Sequence, residues 1–126
     1  MLAYLRQHVA TTLAPAHSAT LATSGPAGLQ ADLFPCVARG TLLYLLLPCT
    51  SDQLLNLDSD TQVVVTAAGW QVRGRARVLD PAEQPAIDLL MDEPGAPWSL
   101  VVEVHPTRVT IAQRQGWGAA ETIDLE

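Results

Sequence analysis

Three arginines on one predicted strand are the first candidates for ligand chemistry. Arg73, Arg75 and Arg77 alternate with small or aliphatic residues, and alternate residues of a strand share one face. A row of guanidinium groups suits recognition of a phosphate or a carboxylate. The same row also fits a structural face whose arginines pair with acids on a neighbouring strand or subunit, such as Glu103. The pattern favours the structural interpretation and leaves both open.

A short predicted helix begins near Thr50 and Ser51 and offers a second candidate site. The free N–H groups and positive dipole end of a helix N-terminus attract phosphate, and hydroxyl side chains add donors. Thr50 and Gln53 also have capping-box spacing, which predicts an ordinary helix cap. The carboxylate of Asp52 repels a phosphate dianion at short range. The residues alone therefore favour a cap over a ligand site.

The remaining reactive side chains carry no familiar motif. The histidines and cysteines lack metal-binding spacing, so no metal site is predicted. Cys36 and Cys49 flank a predicted hairpin turn but do not face each other, which argues against a disulfide. The chain has no phosphate loop, dinucleotide fingerprint or hydrolase nucleophile motif, and no catalytic residue is predicted. Trp70, Trp98 and Trp117 are predicted to pack at a subunit interface, with stacking on a flat ring as the alternative.

The predicted fold that must position these residues is mainly β. Turn signals and runs of β-branched residues predict a series of strands. The predicted strands cover residues 18–24, 29–37, 41–47, 61–67, 71–79 and 99–104. Residues 108–112 are predicted to continue the last strand after an interruption at Pro106. The third strand is apolar on both faces, which predicts that it is covered on both sides.

Helices are predicted at three places. An amphipathic helix opens the chain and ends before Pro15. Its apolar stripe consists of Leu2, Leu5, Val9 and Leu13. The short helix after Thr50 is predicted to point its leucines inward. Those residues are Leu54, Leu55 and Leu57. Asp80 followed by Pro81 predicts the start of a third helix.

The order of three strands, a short helix and two more strands resembles the pyridoxamine 5'-phosphate oxidase-like FMN-binding split barrel. The resemblance rests on Ala-Thr-Leu-Ala-Thr at 19–23, Gly-Pro-Ala-Gly at 25–28 and Gly-x-Ala at 74–76. It implies a mainly β fold, a split β-barrel of six to seven antiparallel strands with an N-terminal helix and short plug helices. One domain would span residues 1–126. It also implies a homodimer with FMN sites between the subunits.

The resemblance places the flavin phosphate at the start of the short helix, where family members carry Ser-Arg-Lys. This chain has Ser51, Asp52 and Gln53 there, and residues 28–38 contain no basic side chain to replace the missing cations. The arginine row is then the available source of positive charge. The residues predicted to bind the cofactor are Pro35, Leu47, Thr50, Ser51, Gln53, Arg73 and Trp117.

Composition limits the classes of partner. The net charge is −6 and all seven basic residues are arginine, which argues against binding to nucleic acid or to an anionic membrane. Hydrophobic residues make up 48% of the chain, which favours covering apolar surface in a homodimer. The sequence shows no signal peptide and no apolar run of membrane-spanning length, so we expect a cytoplasmic protein.

Two functional hypotheses follow. The resemblance implies an FMN-dependent oxidoreductase acting on a small molecule, in which the flavin supplies the hydride chemistry and no catalytic triad is needed. The alternative is a split barrel that has lost FMN and serves as a non-enzymatic dimer or binds another small ligand. Asp52 and Gln53 favour the alternative. Binding of haem or a deazaflavin, as in some relatives, has no positive sign in the residues.

Overall fold

The computed structural model describes residues 2–83, 90, 92–113 and 116–125. Within these residues the chain forms two α-helices and seven β-strands. Their order is α1 (Leu2–Leu13), β1 (Ser18–Thr23), β2 (Gln30–Arg39), β3 (Leu42–Pro48), α2 (Asp52–Ser59), β4 (Gln62–Ala67), β5 (Trp70–Val78), β6 (Ser99–Gln113) and β7 (Gly116–Asp124).

Six antiparallel strands close a barrel, and the seventh extends it. The hydrogen-bonded order is β3-β2-β1-β4-β5-β6, and β6 also pairs with β3. Closure is possible because β6 is 15 residues long. Strands β3 and β7 pair with successive segments of one edge of β6, while β5 pairs with the other edge. The predicted split β-barrel of six to seven strands is therefore confirmed.

Strand β3 is covered on both faces, as its sequence predicts. Its residues Leu43, Leu45 and Leu47 are fully buried in the barrel core. Tyr44 and Leu46 point to the opposite face. They join a second cluster that also contains Leu79, Leu90 and Val101.

Helix α1 packs its apolar face on the barrel core. Val9 and Leu13 are fully buried and belong to the main cluster, and Leu5 is packed against it. Leu2 is 53% exposed, so the predicted apolar stripe is one turn too long. The Arg6 guanidinium donates a hydrogen bond to the carbonyl oxygen of Leu125, which links the helix to the C-terminal segment. The helix ends before Pro15, as predicted.

A bulge in β6 lies opposite β5. Arg73 pairs with Arg108 and Gly74 pairs with Pro106, so Thr107 is the extra residue. A proline offers no N–H to a strand ladder and is tolerated at a bulge. The two backbones approach so closely that a Cβ on Gly74 would lie 2.5 Å from a carbonyl oxygen of β6. The predicted interruption is therefore a bulge within one continuous strand.

The inward position predicted for Leu57 and Leu54 in helix α2 is confirmed, but the buried face also carries polar residues. Gln53, Asn56 and Leu57 are buried and have the i, i+3, i+4 spacing of one helix face. Leu55 is 52% exposed, so the prediction that it points inward is wrong. The predicted capping box is also wrong. The N-cap is Ser51, whose hydroxyl accepts a hydrogen bond from the backbone N–H of Gln53, and the Gln53 side chain turns into the barrel.

Two further segments complete the comparison with the sequence. The helix predicted after Asp80 begins as a single 3-10 turn, Pro81–Glu83, and most of it falls on residues outside the described part. Strand β7 was not predicted. No helix in the described ranges is long and apolar enough to cross a membrane.

Candidate ligand site

An open cleft of about 790 Å³ lies on the outer face of the barrel. We call it the outer cleft. Strands β1, β2, β4 and β5 form it together with the bulge of β6. Its lining includes Ala22, Ser24, Leu29, Gln30, Ala31, Asp60, Gln62, Val64, Arg73, Arg75 and Thr107. The volume lies within the range of small-molecule sites.

The lining of the outer cleft combines apolar and polar surface. Leu29 is 88% exposed, and it lies beside Ala22, Ala31 and Val64. The polar part contains two arginines and the carboxylate of Asp60, so the lining has a net positive charge in a chain whose net charge is −6. Such a cleft suits a ligand with an apolar body and an anionic group.

The three arginines of β5 share an exposed face but not a common role. Exposed and buried residues alternate from Trp70 to Ala76, which confirms the predicted row. The Arg77 guanidinium contacts Glu83 at 2.5 Å and Glu103 at 3.3 Å. The structural interpretation is therefore confirmed for Arg77. Arg73 and Arg75 instead line the outer cleft.

Arg73 stands apart from the other exposed arginines of the sheet. Its guanidinium forms no hydrogen bond or ion pair within the described residues. Its cross-strand neighbour is Arg108, and both side chains line a small recess beside the cleft. Arg108 is neutralised by Asp124 at 2.7 Å, and this contact raises the pKa of Arg108. Like charges directly opposite each other destabilise a strand pair, so Arg73 is left in an unfavourable position.

Gln53 is fully buried beneath the start of α2. Its amide nitrogen donates to the Leu21 carbonyl oxygen at 3.0 Å and to the Asp32 carboxylate at 2.9 Å. Its amide oxygen accepts a hydrogen bond from the Thr23 hydroxyl. Both ends of the amide are therefore used within the fold.

Asn56 extends the same network one turn further along α2. Its amide nitrogen donates to the Thr23 hydroxyl oxygen at 3.0 Å and to the Gly28 carbonyl oxygen at 2.8 Å. Its amide oxygen accepts the backbone N–H of Ala27 at 2.9 Å. Gln53 and Asn56 thus attach the helix to the β1–β2 hairpin, and we call these two residues the amide joint.

Of the seven predicted cofactor-binding residues, Arg73 is the one among the described side chains that lines the outer cleft. Arg73 lines the outer cleft, whereas Gln53 belongs to the amide joint and Leu47 is fully buried in the core. Pro35 is half-buried on β2. The other predicted residues lie elsewhere: Thr50 is exposed before α2, Ser51 is the helix cap, and Trp117 lies on β7 with its side chain outside the described part.

Two of the three tryptophans have described side chains, and their exposure differs. Trp70 is 3% exposed in the barrel core, so the prediction that it packs at a subunit interface is wrong, while Trp98 is 71% exposed.

Both cysteines are free, as predicted. Burial raises the pKa of the Cys36 thiol to about 12, so this thiol stays protonated. The described residues contain no group of three His, Cys, Asp or Glu that could hold a metal ion.

Sequence reasoning missed the part of the outer cleft that comes from the β1–β2 hairpin and from the bulge. Leu29, Ala31 and Leu33 alternate along one exposed side of the hairpin. An apolar residue at every second position of an exposed face is a signal for a ligand or partner surface. Thr107 gives no comparable signal, because its position depends on the close approach of β6 to Gly74.

A second polar cluster surrounds Glu103 away from the cleft. Tyr44 donates its hydroxyl to the carboxylate at 2.9 Å, and His105 and Arg77 contact it at 2.7 and 3.3 Å. Burial alone raises the pKa of Glu103, but hydrogen bonds from His105 and Tyr44 and the nearby positive charges bring it below its ordinary value of 4.5. Burial and the bond to Glu103 raise the pKa of Tyr44.

The Glu103 cluster predicts a pH-dependent contribution to stability. Because the folded pKa of Glu103 is lowered, its carboxylate stabilises the fold above pH 4.5, and this contribution is lost as the pH falls below that value. Glu103→Gln should lower the free energy of unfolding by about 2 kcal/mol at neutral pH. Urea unfolding at neutral and acidic pH should show the difference from wild type shrinking in acid. A difference that stays constant with pH would contradict this assignment.

Comparison with known proteins gives a likeness in structure only. No family model matches the chain, and no curated protein matches its sequence. General stress protein 26 from Bacillus anthracis has a TM-score of 0.68 at 14% identity, covering 97% of this chain and 99% of its own.

Two further solved structures have the same fold. A Clostridium acetobutylicum protein related to general stress protein 26 of Bacillus subtilis, of the pyridoxinephosphate oxidase family, has a TM-score of 0.69 at 11% identity and covers 98% of this chain and 94% of its own. A FAD-binding protein from Mesorhizobium loti has a TM-score of 0.62 at 12% identity, covering 79% of this chain and 86% of its own. The predicted resemblance to pyridoxamine 5'-phosphate oxidase-like split barrels is confirmed at the level of the fold.

Proposed function

We propose that this chain binds a phosphorylated flavin, with FMN as the first candidate, in the outer cleft. The observation that carries the proposal is the cleft itself, whose volume of about 790 Å³ combines an apolar wall with a net positive polar part. A FAD-binding protein has the same fold, which supports a flavin as a candidate ligand. Leu29, Ala31 and Val64 would contact the ring system, and the polar residues would hold the charged tail.

The fit of FMN differs between the two candidate sites. At the start of α2, the amide of Gln53 is used within the fold, the Ser51 hydroxyl caps the helix and Asp52 is an acid, so these residues do not fit a phosphate. The outer cleft does fit, since it offers arginines and hydroxyls beside apolar surface. A bound flavin would supply hydride or electron transfer, and the chain's residues would bind and orient it.

We also propose that the protein is a cytoplasmic homodimer. Leu29 and Leu33 are 88% and 68% exposed on the hairpin. Exposed apolar residues clustered on one face are typical of surfaces that a second subunit covers. The free cysteines fit a reducing compartment. Light scattering should therefore give the mass of a dimer, and a monomer at micromolar concentration would contradict this part of the proposal.

Titration with flavins tests the binding proposal. The visible spectrum of the freshly purified protein would show any flavin that is retained. Quenching of flavin fluorescence should then show saturable binding of FMN, and weaker binding of riboflavin. Ala31→Trp should abolish both by filling the cleft, whereas Ala119→Trp, at an exposed position on β7, should leave them intact. Absence of saturable binding by the wild-type protein would overturn the proposal.

The second candidate function is a non-enzymatic dimer that has lost its flavin. The amide joint favours it, because residues at the start of α2 serve the fold and not a ligand. The flavin titration distinguishes the two functions. A dimer that binds neither FMN nor riboflavin would favour the second function, and cleft-dependent flavin binding would exclude it.

A further inference from the structure

We infer that Arg73 binds the anionic group of the ligand, so that the phosphate subsite lies on strand β5 beside the β6 bulge. The identity of the whole ligand rests on the proposed function above. The anion subsite rests on the charges and contacts of Arg73, and it can be tested without a flavin.

The first argument is the contrast between Arg73 and its neighbours. Arg77 contacts two carboxylates, and Arg108 contacts Asp124. No acid or carbonyl group in the described ranges bonds the Arg73 guanidinium, although it occupies the same face of the sheet. An unpaired guanidinium in a concave site is available to a ligand anion, which can accept two parallel N–H bonds from it.

The second argument is the position of Arg73 directly opposite Arg108. The two like charges raise the free energy of the folded strand pair, and Asp124 compensates only the Arg108 side at close range. An anion beside Arg73 would remove this repulsion. Binding of an anion at Arg73 should therefore stabilise the fold.

The third argument is the bulge. Because Thr107 is the extra residue of β6, it joins Arg73 in lining the cleft. Its hydroxyl donates to the backbone carbonyl oxygen of Arg73 at 3.3 Å, which fixes the bulge against β5. Gly74 allows this approach, since any side chain there would meet the backbone of β6. The local backbone therefore holds Arg73 at the cleft.

The charge of the cleft favours a phosphate ester over a neutral group. Among the described residues that line the cleft the one acid is Asp60, whose carboxylate accepts the backbone N–H of Gln62 at 2.9 Å. The positive charge of Arg73 matches an anionic group, and its flat guanidinium fork matches two oxygens of a phosphate or a carboxylate. The subsite therefore fits an anionic oxygen group, and in the proposed flavin this group is the phosphate monoester.

Thermal unfolding in inorganic phosphate tests the subsite directly. Phosphate should raise the melting temperature of the wild-type protein more than sodium chloride of equal ionic strength. In Arg73→Gln only the nonspecific stabilisation by phosphate should remain. Arg77→Gln is the matched control, because Arg77 lies on the same strand face outside the cleft; it should lower the melting temperature and keep the full phosphate response. Equal phosphate responses in wild type and Arg73→Gln would overturn the inference.

Paired titrations with FMN and riboflavin extend the test to the ligand. Arg73→Gln should weaken FMN binding about 10- to 100-fold and leave riboflavin binding unchanged, because riboflavin lacks the phosphate. Arg73→Lys should recover part of the FMN affinity. Equal losses for FMN and riboflavin would overturn the phosphate assignment. If neither flavin binds the wild-type protein, the proposed function fails, and the response to inorganic phosphate still decides whether Arg73 is an anion site.

Discussion

Gly74→Ala is expected to lower the free energy of unfolding by about 3 kcal/mol, the upper part of the range for overpacking a tight site. The added Cβ would lie 2.5 Å from the His105 carbonyl oxygen and 3.1 Å from the Cα of Pro106. Both contacts are with backbone, so no side-chain rotation relieves them. Strands β5 and β6 would have to separate at the bulge. Urea unfolding followed by circular dichroism measures the loss.

Gly118→Ala is the matched control for this prediction. Gly118 lies on β7, and a Cβ there meets no atom within 4 Å. Its substitution should leave stability unchanged or raise it slightly, since alanine restricts the unfolded chain. If both variants had the same stability as wild type, the close approach of β5 and β6 at Gly74 would be wrong.

Asn56→Ala is expected to cost about 3 kcal/mol, because it removes three hydrogen bonds from a fully buried position. The backbone N–H of Ala27 and the carbonyl oxygen of Gly28 would lose their partner. Alanine is the better helix former, so helix propensity acts in the opposite direction and the measured loss is a lower bound on the contribution of the Asn56 hydrogen bonds. Thermal unfolding and hydrogen exchange of the β1–β2 hairpin measure the two consequences.

Asp58→Ala provides the comparison for Asn56→Ala. Asp58 lies on the exposed side of the same helix, and its loss should change stability little. We expect faster amide exchange in the hairpin of Asn56→Ala and not of Asp58→Ala. Equal exchange in both variants would show that the amide joint does not hold the hairpin.

The sequence predicts most of the strands because their signals are local. The glycine turns at 28, 40 and 69 have positive φ angles, and they separate runs of alternating or continuous apolar residues. Strand β7 has weak local signals, since glycine and alanine begin it, and it forms because the edge of β6 is available for pairing. Strand β7 forms by pairing with β6, and the local sequence pattern carries no information about that pairing.

The candidate site is harder to predict from the sequence than the fold is. In α2, leucines lie at three of the four positions from 54 to 57, and their hydrophobicity predicts that all of them point inward. The face that turns inward carries Gln53 and Asn56 beside Leu57, and the partners of the two amides are about 30 residues away in the hairpin. The difference between Arg73 and Arg77 also depends on distant acids. Only three-dimensional contacts reveal that Arg77 is paired with acids while the described residues give the Arg73 guanidinium no partner.

The length of β6 has a consequence for the synthesis of the protein. Ribosomes make the chain from its N-terminus, and β6 begins at Ser99, after the other barrel strands have been made. Until β6 emerges, β3 and β5 lack the neighbour that closes the barrel. Both are open edges, and the edge of β3 is rich in leucine, which favours pairing with other chains. The nascent chain is therefore most exposed to aggregation after β5 has emerged from the ribosome and before β6 has.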